Sequence, residues 1–109
     1  MPGVKIVVLY PVPRDLNKFE RDYTEDHAPM VNARTFPGIT KFVATKIVGT
    51  PDGTPPPFAR VAELYFPSIE VLQAAAATPS AQQAVAHAIS ISSGGTPTFL
   101  VAEEESRNF

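Results

Sequence analysis

No cysteine occurs in the 109 residues, which excludes a disulfide framework, a thiolate nucleophile, Cys-ligated zinc and iron–sulfur clusters. Long apolar runs are missing as well. The longest, Ile6-Val7-Val8-Leu9-Tyr10, falls far short of the ~20 residues a helix needs to cross a bilayer, so no membrane partner is expected. There is no surplus of positive charge: nine Lys and Arg stand against eleven Asp and Glu. The basic residues are scattered from Lys5 to Arg107, and nucleic acid is not expected as a partner. The amino terminus, Met-Pro-Gly-Val-Lys, enters a strand-like pattern at once, without the basic and long apolar regions of a signal peptide. The expectation is a soluble, cytoplasmic protein. No Gly-x-Ser-x-Gly elbow supports an acyl-enzyme route, and Gly94-Gly95 lacks the spacing of a phosphate-binding loop.

What the chain has in quantity is punctuation, with twelve prolines and six glycines. Val4 to Tyr10 reads as strand one, closed by Pro11. Asp15 is an N-cap for a helix in which Leu16, Phe19, Tyr23 and His27 recur at helical spacing. Pro29 cannot donate and biases Ala28 away from the helical region, so the helix should break there, with Met30 to Arg34 as a short continuation at an angle. Ile39 to Val48 reads as strand two, Gly49 to Pro57 as a loop and Phe58 to Phe66 as strand three. Ser68 caps a helix of about nine residues, and Thr78-Pro79 opens another short helix carrying Val85 and Ile89. Thr98 to Glu103 is strand four. The length fits a single domain, residues 1–109, with 104–109 as a loose, solvated tail.

The order β-α-β-β-α-β predicts an α+β, ferredoxin-like sandwich with a four-stranded antiparallel sheet and both helices on one face. Strands one and three are central in that order, and both carry apolar residues on both faces: Val7 and Leu9 oppose Val4, Ile6, Val8 and Tyr10, while Val61 and Tyr65 oppose Ala62, Leu64 and Phe66. A sheet facing water on one side would alternate more strictly. The open face therefore calls for a cover, and a second copy of the chain is the simplest one. Lys41 and Lys46 fall on the predicted edge strand, where charge discourages uncontrolled pairing.

His27 is the leading candidate for chemistry, since an imidazole moves protons near neutral pH. Tyr23 lies one turn earlier on the same helical face, where its hydroxyl could orient a bound oxygen or the imidazole. The bland alternative is that His27 bonds a carbonyl freed by Pro29 and braces the helix end. His87, near the end of an Ala-rich helix, reads as exposed and structural. Two histidines sixty positions apart with no patterned carboxylate argue against a metal. Arg60 and Glu63 fall on opposite faces of strand three and read as ion-pairing residues at the sheet margin.

Three segments together resemble the EthD-like family, named for ethyl tert-butyl ether degradation, within the dimeric α+β barrel superfamily. They are Tyr23-Thr-Glu-Asp-His27-Ala-Pro29, the loop Gly49 to Phe58, and Ala62-Glu-Leu-Tyr-Phe66-Pro-Ser68. The resemblance implies homodimers whose sheets face one another, a cavity in each half for a small apolar ligand, and no obligatory metal or organic cofactor. The expected function is a cofactor-independent enzyme, with His27 as acid/base and Tyr23 positioning an oxygen; oxidation, isomerisation and dehydration stay open. The alternative is a non-catalytic binding protein serving a degradation pathway such as that of ethers. The site is expected between the end of helix one and the open face of the sheet.

Overall fold

A computed structural model describes residues 3–109; Met1 and Pro2, the start of the amino terminus read above, lie outside the described residues. The elements are β1 (Gly3–Pro11), α1 (Leu16–Arg21), a π-helical turn (Asp22–His27), a 3-10 turn (Ala28–Met30), β2 (Lys41–Lys46), β3 (Phe58–Phe66), α2 (Ile69–Ala76), α3 (Pro79–Ile91) and β4 (Thr98–Glu104). The sheet order is β2-β3-β1-β4, antiparallel throughout, so β1 and β3 are central. This is the ferredoxin-like arrangement that the β-α-β-β-α-β order predicts.

Each helix starts where a side chain satisfies an orphan donor. Asp15 accepts from the Lys18 N–H at 3.1 Å, Ser68 from Val71 at 3.2 Å, and Thr78 from Ala81 at 3.2 Å. Register places Tyr10 opposite Arg60, Val8 opposite Ala62 and Ile6 opposite Leu64. Of those residues Tyr10, Val8, Ala62 and Leu64 form the core with Phe19, Tyr23, Leu72, Ala75, Ala81, Ala84 and Ala88, and Ile6 packs against it. Fully burying a side chain such as Phe19 contributes ~2 kcal/mol.

Five expectations are corrected. Strand two is Lys41–Lys46 rather than Ile39–Val48, because the paired ladder gives way to isolated bonds at each end, Thr40 N–H to the Tyr65 carbonyl and Ile47 N–H to the Ala59 carbonyl. Pro29 does not break the helix. Ala28 stays helical at φ −55°, ψ −40°, and its N–H donates to the Tyr23 carbonyl across a widened π turn that gives the proline ring room. The continuation is the 3-10 turn rather than a helix over Met30–Arg34: Asn32 Oδ1 accepts from the Arg34 and Thr35 N–H groups and offers the backbone a competing turn. The last helix is thirteen residues long, and Glu104, expected in the loose tail, sits in β4 and bonds the Tyr65 hydroxyl at 2.7 Å and Lys5 at 3.1 Å.

The connector after α3 explains one glycine. A Cβ on Gly94 would lie 1.8 Å from the Val12 carbonyl oxygen, so only glycine allows the connector to pack on the exit of β1. That contact holds the end of α3 near the end of β1, where Tyr10 sits.

Candidate functional site

A cavity of about 320 Å³ lies between the helix-facing side of the sheet and helices α2 and α3. Its floor is Ile6, Val8, Ala62 and Leu64, and its roof is Leu72, Ala76, Ala84, Val85 and Ala88. The roof explains the space: three of these five are alanines, facing a sheet that larger side chains would otherwise reach. Phe99, Leu100 and Val101 line it while remaining partly exposed, so it opens beside β4. Among all lining residues only Tyr10 and His27 carry polar side-chain atoms.

Tyr10 is the last helix-facing residue of β1 before a register shift at Pro11. His27 ends the π turn directly above it. The Tyr10 hydroxyl lies 3.2 Å from His27 Nε2, and His27 Nδ1 lies 3.1 Å from His87 Nδ1 on α3. The two imidazoles are close to parallel, 13° apart in plane. Tyr10 is 1% and His27 5% exposed, whereas His87 is half-buried.

Burial sets the charge state. It lowers the pKa of His27 to about 4, with a smaller contribution from the neighbouring His87. Burial, and then proximity to Tyr23, pushes Tyr10 up. At neutral pH the pair is a neutral phenol and a neutral imidazole, with two possible polarities. In the first, Tyr10 O–H donates to Nε2 and His27 Nδ1–H donates to His87, leaving the phenol oxygen free to accept. In the second, every hydrogen is reversed and the phenol O–H is free to donate. The same two residues can therefore take a proton from a bound molecule or give one.

The remaining expected residues separate. Tyr23 is adjacent to His27, ring centroids 5.7 Å apart, but it does not line the cavity. Its ring lies 4.8 Å from the Arg60 guanidinium and edge-on to Tyr10, and its buried hydroxyl has no hydrogen-bond partner among the described residues. Burial raises its pKa to about 12, against the opposing charge of Arg60. Arg60 makes a bidentate bond to Glu20 at 2.7 and 3.0 Å, tying α1 to β3; Glu63 pairs with Lys5 on the other face. The pairing read for both holds, each with its own partner.

Two expectations are overturned. The cavity is on the helix-covered side rather than the open side of the sheet, because the alanine roof supplies a second wall only there. His87 is not an isolated, exposed residue: α3 packs on the π turn and carries it onto His27. Tyr10 was missed because it closes an apolar alternation; the signal was its hydroxyl, which needs a partner when its face is buried. Among the described residues no group of three or more His, Asp or Glu is placed to hold a metal ion, and none of the helices is long and apolar enough to cross a membrane.

The sequence and fold have known relatives. A protein of Rhodococcus erythropolis described as an uncharacterized 11.0 kDa protein in the thcB-thcC intergenic region is 34% identical over 101 residues, 93% of this chain and 94% of its own. The crystal structure of an ethyl tert-butyl ether degradation (EthD) family protein from Bacillus halodurans C-125 matches with a TM-score of 0.84 at 32% identity, covering 94% of this chain and 99% of that one. SnoaB from Streptomyces nogalater, a cofactor-independent oxygenase, shares the fold at a TM-score of 0.59 and 19% identity, over 98% of this chain and 95% of its own. A family model for the EthD domain matches residues 13–89, and the chain belongs to the EthD family.

Proposed function

We propose that this EthD-family chain is a cofactor-independent enzyme that binds a small, largely apolar organic molecule in the helix-side cavity and moves a proton on it. The observation that carries this reading is the hydrogen-bonded Tyr10–His27 pair, among the described residues the only polar side chains on an otherwise apolar wall. An apolar cavity with a few convergent polar groups is the ordinary form of a small-molecule site. Here the ligand's one oxygen would meet the Tyr10 hydroxyl. His27 is the acid/base group acting through that hydroxyl, and the oxygen-positioning role expected for Tyr23 passes to Tyr10. Proton removal next to a carbonyl or on a phenol is the chemistry such a pair supports, and the fold is shared with a protein described as a cofactor-independent oxygenase.

The test uses 2-tetralone, an apolar ketone with acidic hydrogens beside its carbonyl. In deuterium oxide the protein should accelerate exchange at those positions, followed by proton NMR, and His27→Ala should abolish the acceleration. Binding without accelerated exchange would leave the second reading, a non-catalytic carrier. That reading is favoured by one observation, that both ring nitrogens of His27 already have partners.

The assembly is proposed on separate grounds. Val7, Leu9 and Val61 are only half-buried, and Leu100 exposed, on the open face of the isolated sheet. A second copy packed sheet to sheet would cover them, burying more than ~1,500 Å² in total. Sedimentation at micromolar concentration should show a dimer; a folded monomer would contradict it.

A further inference from the structure

We propose that His87 is the outlet of a proton relay, Tyr10–His27–His87, which connects the apolar cavity with solvent. The inference rests on the acid/base reading above and adds a residue that never touches the ligand. His87 does not line the cavity, so its place in the chemistry is to carry the proton onward.

The argument starts from where a proton can go. Among the described residues Tyr10 and His27 alone bring polar side chains to the cavity wall, so a protein group that takes a proton from a bound molecule there belongs to that pair. It cannot stay on His27, which is buried and so held in its neutral form. Nor can His27 pass it directly to water, because Nε2 is on the Tyr10 hydroxyl and Nδ1 is on His87 Nδ1 at 3.1 Å. Among the described residues the side chain that bonds His27 on the side away from Tyr10 is His87, which is half-buried and so has solvent within reach.

The titratable groups around His87 come from the first helical segment and from β1. From the preceding helical segment Asp22 interacts with it by charge, and Lys18 and Arg21 share that carboxylate at 2.7 and 4.0 Å. From β1 the nearest titratable group along the chain of bonds is Tyr10, by way of His27. α3 itself, PSAQQAVAHAISI, carries no charged residue and no other titratable side chain.

The step balances. In the first polarity the C–H or O–H bond of the bound molecule breaks and its proton goes to the Tyr10 oxygen, leaving the electron pair on the molecule. The Tyr10 proton moves to His27 Nε2, and the His27 Nδ1 proton moves to His87 Nδ1. His87, now an imidazolium, releases its Nε2 proton to water. All three groups end neutral in the second polarity, with the phenol O–H aimed at the anion. Running the steps backwards, with a solvent proton taken up at His87 Nε2, returns a proton to the same or another atom of the molecule. Abstraction followed by return restores the first polarity, so a full cycle needs no other reagent.

The variant that separates relay from packing is His87→Asn, whose amide can keep a hydrogen bond near the Nδ1 position but cannot hand a proton on. His87→Gln serves as a second variant should the first not fold. Deuterium exchange into 2-tetralone should fall at least tenfold in either variant while the Kd for 2-tetralone stays within twofold of wild type. Free imidazole added to the buffer should restore much of the lost rate and leave wild type unchanged. Wild-type exchange rates in both variants would overturn the relay and leave the acid/base role of His27 standing. A loss that imidazole does not restore, with weakened binding, would make His87 a packing residue and also overturn it. If wild type binds 2-tetralone without accelerating exchange, or fails to bind it, the acid/base reading falls and the relay falls with it.

Discussion

The two faces of this sheet use the same alternating strands to opposite ends. On the helix-covered face the polar groups are few and, apart from the Tyr23 hydroxyl, are held by specific partners: Tyr10 on His27, His27 on His87, and Arg60 on Glu20. On the open face Lys5 gathers Glu63, Tyr65 and Glu104 at one end of β1, Lys41 lies 5.1 Å from the Tyr65 ring, and Val7, Leu9 and Val61 beside them are only half-buried. One face makes a pocket whose polar lining groups are uncharged; the other leaves apolar side chains half-buried. The covered face also keeps its full charges away from its cavity. Arg60 and Glu20 neutralise each other behind Tyr23, and only neutral hydrogen-bonding groups reach the cavity wall.

The largest expected effect comes from breaking that brace. Arg60→Ala leaves a partly buried Glu20 carboxylate with only Lys46 at 3.8 Å, and should cost ~3 kcal/mol in urea unfolding. A cost under ~1 kcal/mol would mean the brace matters no more than a surface pair.

Next is the pH dependence of the covered face. His27 has a folded pKa of about 4 against about 6.5 unfolded, so the unfolded chain takes up the proton first. The stability tied to neutral His27 is complete above pH 6.5 and is lost as pH falls from there towards 4, by up to ~3 kcal/mol. Glu20 and Asp22, held low by Arg60 and Lys18 respectively, act in a lower window, as pH falls below the ordinary carboxylate range. Replacing His27 with Leu should flatten the pH 4–6.5 part of the curve and leave the acid limb in place.

Filling the cavity sharpens the comparison further. Ala84→Leu puts a larger side chain into the roof, and should abolish 2-tetralone binding while changing stability by less than ~1.5 kcal/mol. A ligand held on the open face would not notice it. The smallest effect has the opposite sign: Tyr23→Phe removes a buried hydroxyl that has no partner among the described residues, and should stabilise the fold by ~1 kcal/mol with ligand binding unchanged. Weakened binding would restore Tyr23 to the site.

Local chemistry made much of this legible in the sequence. The caps Asp15, Ser68 and Thr78 act through hydrogen bonds three residues away, an effect that can be read from neighbouring residues. His27 stood out because few side chains move protons near neutral pH. Tyr10, His87 and the Glu20–Arg60 pair owe their roles to partners 17, 60 and 40 positions away, and no local spacing encodes those. The π turn escaped for a related reason: the proline rule forbids an α-helical bond at Pro29, but a wider helical turn meets the same constraint. The side of the sheet that holds the cavity was decided by alanines, which read as helix formers before they read as empty space.

The most direct test is a crystal structure of the protein soaked with 2-tetralone. The ketone should lie between the alanine roof of α3 and the floor of β1 and β3, its oxygen within hydrogen-bond distance of the Tyr10 hydroxyl. A ketone bound against Val7, Leu9 and Val61 on the open face, with the helix-side cavity empty, would contradict the account.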